Sequence, residues 1–448
     1  MITFQDMQKE LANGEKITNF LKRVIESHKG SNAYVMAKIA DEYNRHHNLT
    51  IMAYQKFLYT ASGKAVVDNY SANYKLRTNI FNRLVRQQNQ FLLGNGVKWG
   101  KDDTSDKLGA DFDNKLQDAG EKAIVHGESF GFWNLDHVEI FSLLEFAPLL
   151  DEETGAIMAG VRFWQLDDSK PLRATLYEID GYTDYIWRND GKSDGEVLNE
   201  KRKYIVKTKG TNADGMEIYD GENYPTFPIV PLWANEYKQS EFEGMRENID
   251  AYDLIKSGFC NNIDDASEIY WIIQNAGGMD EVDIAEFMHK LKTKHAVNVD
   301  DDQKAEPNTI NIPTDAREKV LDRLRADMYE DFMALDTKNL ADGAVTATQI
   351  QASYEPMNEK ADGFEYCINN FISKIMELAG VDDKPTFTRS MIINATETIQ
   401  TILQGAQYLS ADYVTEKILT VLGDGDRVDD VLKEMDGEDI NRFGGANE

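Results

Sequence analysis

Apolar residues recur every three to four positions through three long segments in the second half of the chain, and that spacing predicts three helices. The first, 247–275, places Ile249, Tyr252, Phe259, Ile263, Ala266, Tyr270 and Ile273 near one face. It would run about 43 Å at a rise of roughly 1.5 Å per residue. The second, 314–335, repeats the pattern with Val320, Leu321, Leu324, Met328, Phe332 and Leu335. The third opens at Thr346, carries Ile350, Tyr354, Met357, Ala361, Phe364, Ile368, Phe371, Ile375 and Leu378, and stops at Gly380. Between the first two lie Gly277 and Gly278, a short helix around 281–292, and two strand candidates at 296–299 and 309–312. This is a small mixed insert at the far end of a helical pair, about 30 to 45 Å from the body the pair leaves.

The first half alternates differently. Residues 16–59 are helical and polar, anchored by Phe20, Ile25, Tyr34, Ile39 and Tyr43. A helix over 73–93 carries Ile80, Phe81, Leu84, Val85, Phe91 and Leu92 as a stripe and ends on Gly94-Asn95-Gly96. Another, 106–127, leads into short β-prone runs at 130–135, 138–146, 156–165, 173–179, 182–187 and 202–207, separated by Asp, Gly, Asn and Pro turns. A Pro-rich stretch, 224–232, must run extended, because the residue before each proline is steered out of the helical region. After Pro385 come helices at 396–408 and 411–422. The tail 424–448, with nine acidic and three basic residues, is expected to fray. The fold class is α+β, with two to four domains on length.

Composition narrows the function. The chain has 448 residues and a formal net charge of -30, from 78 Asp and Glu against 48 Lys and Arg. Such a surface repels nucleic acid and anionic membranes, which excludes conventional DNA binding, although it would let DNA pass without sticking. Cys260 and Cys367 fall inside predicted helices without metal or disulfide spacing and read as core thiols. Met1 to Glu10 has no apolar h-region, so no secretory signal is expected, and no apolar run approaches the roughly 20 residues that span a bilayer. The sequons at Asn48 and Asn394 then read as chance matches.

Catalytic signatures are sparse. Gly63-Lys64 lacks the upstream glycine and following hydroxyl of a phosphate-binding loop, and H-E-x-x-H, C-x-x-C, G-x-S-x-G and G-x-G-x-x-G do not occur. His46 and His47 are adjacent but sit in a polar segment. Asp300-Asp301-Asp302 suggests Mg²⁺-dependent nuclease chemistry. A solvated turn beside a strand is the plainer reading, because adjacent carboxylates in extended chain point to opposite faces.

The order of these pieces, with their local wording, resembles the portal proteins of tailed double-stranded DNA bacteriophages, from about residue 30 to 435. The resemblance rests on Asp41-Glu42-Tyr43 with Asn48-Leu49-Thr50-Ile51, on Asn89 to Val97, on Gly127 to Phe132, and on Phe146-Ala147-Pro148. It also rests on Phe227 to Leu232, on Ser240 to Ser257 with Asn248-Ile249-Asp250-Ala251-Tyr252 inside it, and on the helix from Thr346 through Ala352-Ser353-Tyr354 after a Gly-containing loop.

The resemblance implies a homo-oligomeric ring, twelve subunits in virions, at the capsid vertex, with a channel for packaging and ejection of DNA. Residues 1–234 with 346–380 would be the wing, 241–275 and 314–335 the stem, 276–313 the clip, 336–345 the tunnel loop and 385–448 the crown and acidic tail. Lys338, Asn339, Leu340 and Asp342 are the candidate channel-facing residues of that loop. Asp264, Asp265, Glu268 and Asp322 are candidate acidic stem residues. Gly343 and Pro356 are hinge candidates, since Pro356 removes a backbone donor and should kink or split the third helix. Thr346-Ala347-Thr348-Gln349 reads as a capping box that starts that helix firmly. Implied partners are terminase, scaffolding and major capsid proteins, and head-completion adaptors, without a cofactor, metal, membrane or enzymatic role. The protein would be assembled in the host cytoplasm. Rival readings are another head-tail adaptor, a metal-dependent nuclease using Asp300 to Asp302, and an acidic assembly chaperone.

Overall fold

The computed structural model describes residues 2–60, 62–69, 71–188, 194–211, 217–267, 270–274, 282, 286, 289, 304–308, 314–338, 346–390, 395–428 and 430–435. Its contacts divide the chain into two units of discontinuous sequence. One comprises Met1–Asn44, Phe81–Glu243 and Tyr329–Glu448; the other comprises Arg45–Ile80 and Gly244–Met328.

The first unit is layered. Strands Phe146–Leu150, Ile157–Trp164, Leu172–Glu178, Gly181–Trp187 and Glu196–Arg202 form an antiparallel meander in chain order. Because successive side chains alternate faces, Leu149, Val161, Phe163, Leu176 and Trp187 share one side. There they pack with Met7, Phe20, Leu21, Val24 and Ile25 of the helices Phe4–Ala12 and Ile17–Lys29. The other side meets a three-stranded sheet ordered Ile229–Trp233, Glu128–Asn134, His137–Ser142. Aromatic rings fill that seam: Phe130 lies 4.6 Å from Phe146, and Phe132 lies 5.2 Å from Tyr177. A Cβ on Gly160 would stand 2.1 Å from the Phe146 ring, so only glycine admits this approach.

The outer face of the three-stranded sheet takes two helices, Phe112–His126 and Ala347–Ala379. Ser129 Oγ donates to the Ala119 carbonyl at 2.8 Å, and a Cβ on Gly131 would meet Phe371 at 2.4 Å. The stripe read from the sequence of the last helix is buried at Tyr354, Met357, Ala361, Phe364, Ile368, Phe371, Ile375 and Leu378. The order of layers is thus helix, sheet, sheet, helix, an α+β arrangement.

Several boundaries differ from the sequence reading. The 73–93 helix begins only at Ile80, and 106–127 forms two helices, Thr104–Leu108 and Phe112–His126. The run at 202–207 is divided between the strand Glu196–Arg202 and a hairpin of Ile205–Thr211 with Glu217–Glu222. The Pro-rich stretch is extended, but it also enters the sheet. Pro231 pairs with Phe130 on an edge strand, where a missing N–H costs no ladder bond. Cys260 and Cys367 are half-buried rather than core.

In the second unit the helix expected over 247–275 ends at Ser267. Tyr270–Gln274 is instead a strand paired with Lys304–Asn308. Tyr, Trp and two Ile in five residues favour the pleated conformation over the helix that periodicity suggested. The strand candidates at 296–299 and 309–312 lie outside the described residues. The next helix, Thr314–Asp331, is four residues shorter at its C-terminus than its apolar pattern.

Candidate functional site

The loop singled out by the sequence is framed by two well-made helix ends in the first unit. Upstream, the Met333 amide donates to Glu330 O at 3.0 Å and the Ala334 amide to Tyr329 O at 2.9 Å, with Met333 at φ 58. These are the paired bonds of a Schellman stop. Phe332 and Leu335 are then buried, and the Leu335 carbonyl accepts from Gln87 Nε2 at 3.0 Å. Downstream, Thr346 caps the long helix reciprocally: the Gln349 amide donates to Thr346 Oγ1 at 3.3 Å, and the Thr346 amide donates to Gln349 Oε1 at 3.0 Å. The capping box is therefore real, and it satisfies two otherwise orphaned donors.

A cation anchors this frame. Lys360 Nζ donates to the Phe332 carbonyl at 2.9 Å, pairs with Glu241 at 2.7 Å and stands 3.5 Å over the Phe332 ring. Burial lowers the Lys360 pKa, and Glu241 opposes that shift. Beside it, Phe91 stacks on Tyr354 with centroids 5.7 Å apart, in a cluster with Leu335, Met357 and Ala361.

Lys338 is exposed, with its amide donating to Asp336 Oδ1 at 3.0 Å. Asn339, Leu340, Asp342 and Gly343 lie outside the described residues. Pro356 is exposed within one continuous helix, so the chain does not split there. Ala352, whose carbonyl loses its partner to the proline, is exposed too, and water can satisfy it. In the second unit Asp264 and Asp322 are exposed on their helices, Asp265 belongs to the Arg246–Ser267 helix, and Glu268 is outside the described residues. Asp300 to Asp302 are likewise outside. Among the described residues, no group of three His, Cys, Asp or Glu is placed to hold a metal, and no helix is long and apolar enough to cross a membrane.

Sequence reasoning missed a buried polar row in the second unit. On the Arg246–Ser267 helix Asp253, Ser257 and Asn261 are buried along with Ile249, while Leu254 and Ile263 are exposed. These three polar residues stand four apart, about 6 Å along the axis. Each accepts an amide from alternate residues of an extended strap: Thr78 to Asp253 Oδ1 at 2.9 Å, Leu76 to Ser257 Oγ at 2.9 Å, Tyr74 to Asn261 Oδ1 at 2.6 Å. Alternate amides of an extended chain repeat every 6.4 to 6.8 Å or so, which matches the helix spacing. The strap cannot be helical, because its amides are held here. The i, i+4, i+8 row of Asp, Ser and Asn was the available signal.

The model of the family described as phage portal protein, SPP1 Gp6-like, matches residues 26–441. The chain is 24% identical over 419 residues to the portal protein of Bacillus phage SPP1, covering 83% of this chain and 80% of that one. It is 26% identical over 217 residues to the portal protein of Clostridium phage phiCD119, covering 45% of this chain and about half, 47%, of the relative. Among solved structures, a chain in the neck of a native gene transfer agent particle computed with C12 symmetry aligns with a TM-score of 0.43 at 10% identity, covering 76% of this chain and 89% of that one. A chain from the neck of an empty particle, computed with C6 symmetry, aligns at 0.47 and 9% identity, covering 77% and 90%.

Proposed function

Because the chain belongs to the SPP1 Gp6-like family of phage portal proteins, we propose that it assembles into a ring at one capsid vertex and forms the channel through which double-stranded DNA is packaged and ejected. The observation that carries this reading is the family match over 26–441, nearly the whole chain. In this assignment the layered first unit supplies the wing, with residues 1–234 and 346–380. The helices Arg246–Ser267 and Thr314–Asp331 are the stem, and 276–313 is the clip where terminase docks. Residues 336–345 form the tunnel loop and 385–448 the crown.

The physics of a conduit supports the roles. Two fixed helix ends, the Schellman stop at Met333 and the capped start at Thr346, give a loop at 336–345 anchored shoulders from which to project. Lys338 repeated around the ring presents one cation per subunit to phosphates spaced by about 1.7 Å per charge along the duplex. A net charge of -30 limits adhesion elsewhere, with Asp264, Asp265, Glu268 and Asp322 as stem contributors. The energy for translocation comes from a separate terminase ATPase, and scaffolding, major capsid and head-completion proteins are the remaining partners.

The test is negative-stain imaging with light scattering on the purified protein. Rings of about 0.6 MDa with a stained central hole, twelve chains of 50.9 kDa, are expected. A monomer at every protein concentration, and also in the presence of its scaffolding protein, would sink the reading.

A further inference from the structure

The Arg246–Ser267 helix carries a glycine that its own unit does not explain. Gly258 stands mid-helix, where glycine is less stable than alanine because more backbone freedom is lost on folding. Among the described residues no atom lies within 4 Å of where its Cβ would stand, so packing inside the unit does not demand the small residue. What lies beside it is an open groove of about 500 Å³ between this helix and Thr314–Asp331, with Gly258 in its lining. That volume is in the range of sites that take a ligand or a partner's side chains.

The walls combine apolar surface with charge of a single sign. Leu254 and Val320, 42% and 46% exposed, give the groove an apolar lip. Lys56 and Arg317 line it and no Asp or Glu does, in a chain of net charge -30. Lys56 already has a partner, which leaves Arg317 as the cation that a guest would meet.

The Arg317 guanidinium is held in place without being neutralised. With the Asn262 amide turned oxygen toward it, the orientation that satisfies both amide atoms, NH1 and NH2 donate to Asn262 Oδ1 at 2.8 and 2.6 Å. The guanidinium lies 5.8 Å from the centre of the Phe259 ring. A guanidinium has five N–H donors, so others remain, and a carboxylate can take two of them side by side. Nucleic acid is the poorer guest, since a phosphodiester strand needs a row of cations and gains nothing from exposed Leu and Val.

We propose that this groove receives a short acidic segment of a partner protein, with an aliphatic side chain seated against Gly258 between Leu254 and Val320 and a neighbouring carboxylate paired with Arg317. The glycine keeps the floor open, the two apolar residues supply contact area, and the cation selects the sign of the guest. None of this depends on the ring reading, because the whole groove lies in one unit of one chain.

The experiment titrates the intact protein into fluorescein-labelled, end-capped peptides and reads anisotropy. Glu-Leu-Glu-Leu-Glu is expected to bind saturably, and more weakly as NaCl rises from about 0.1 to about 0.5 M. Lys-Leu-Lys-Leu-Lys and Glu-Ser-Glu-Ser-Glu should each bind at least tenfold more weakly. Arg317→Gln and Gly258→Leu should each weaken the Glu-Leu peptide about tenfold. Gly258→Leu should melt no lower than the wild type, since a helix-favouring residue replaces glycine where there is room, so its lost binding is not unfolding. No binding of the Glu-Leu peptide, equal binding of the Lys-Leu peptide, or binding unchanged in both variants would overturn the proposal. A smaller assembly in Arg317→Gln or Gly258→Leu would overturn it by giving the groove to a second copy. Displacement of the acidic peptide by a DNA duplex would overturn it by making Arg317 a phosphate site.

Discussion

Asp253 holds the backbone amide of Thr78 at 2.9 Å, and that single bond begins the ladder that keeps residues 74–78 extended against a helix. The other carboxylate oxygen takes Asn48 Nδ2 at 2.8 Å, so one buried side chain fixes both legs of the excursion between them.

Asp253→Ala strands two donors, and each buried orphan costs about 1 to 3 kcal/mol. Hydrogen exchange read by mass spectrometry should speed up over 74–78 by roughly two orders of magnitude, since about 1.4 kcal/mol is tenfold. Exchange in the Ala347–Ala379 helix, which belongs to the other unit, should not change. Asp253→Asn keeps one acceptor and should fall between.

Glu128 gives a pH signature. Its carboxylate accepts from Trp233 Nε1 at 2.7 Å, and burial pushes its pKa up to about 7, against the Trp233 bond and the charge of Lys238. A carboxyl with a raised folded pKa favours the fold when protonated. Its contribution is full below the ordinary value near 4.5 and is lost as pH rises through about 7. Glu128→Gln keeps the acceptor for Trp233 without the titration. It should match the wild type at pH 4 and exceed it at pH 8 by about 3 kcal/mol, measured as melting temperature across pH.

Lys360 should be hard to remove singly. Both it and Glu241 are largely buried, with side chains 14% and 16% exposed. Lys360→Ala leaves an unpaired buried carboxylate and an orphaned Phe332 carbonyl, a loss of about 3 to 5 kcal/mol. Lys360→Met with Glu241→Gln should recover most of it, because the stem volume returns and no charge is left alone. If the double variant melts no higher than Lys360→Ala, the pair is not what stabilises this corner.

Lys338→Ala should change DNA retention or packaging while rings still form, since the side chain is exposed in its subunit. Loss of the ring in that variant would count against a channel role. For Pro356→Ala, unchanged packaging and unchanged loop mobility would remove the hinge from the scheme.

Periodicity was enough where a helix buries one apolar stripe against its own unit. The Ala347–Ala379 helix, its Thr346–Gln349 box, its Gly380 stop and the stripe of Ile80–Leu93 follow from local spacing, capping chemistry and the hydrophobic effect. Three of the five meander strands, Ile157–Trp164, Leu172–Glu178 and Gly181–Trp187, were legible as β-prone runs between turn residues, whereas Phe146–Leu150 and Glu196–Arg202 were not. Local wording also carried the family resemblance, which the match over 26–441 bears out.

Tertiary structure decided what depends on partners distant in sequence. The apolar pattern of 247–275 runs past Ser267 without showing that 270–274 pairs with 304–308, because a strand's amides are satisfied by residues some thirty positions away. The same pattern placed Ile263 on the buried face, whereas the helix buries Asp253, Ser257 and Asn261. Residues 74–78 read as the first turns of a helix until those side chains take their amides, and no local signal in the strap says so. Propensity and spacing are properties of a segment; where each backbone donor finds its acceptor is a property of the folded whole.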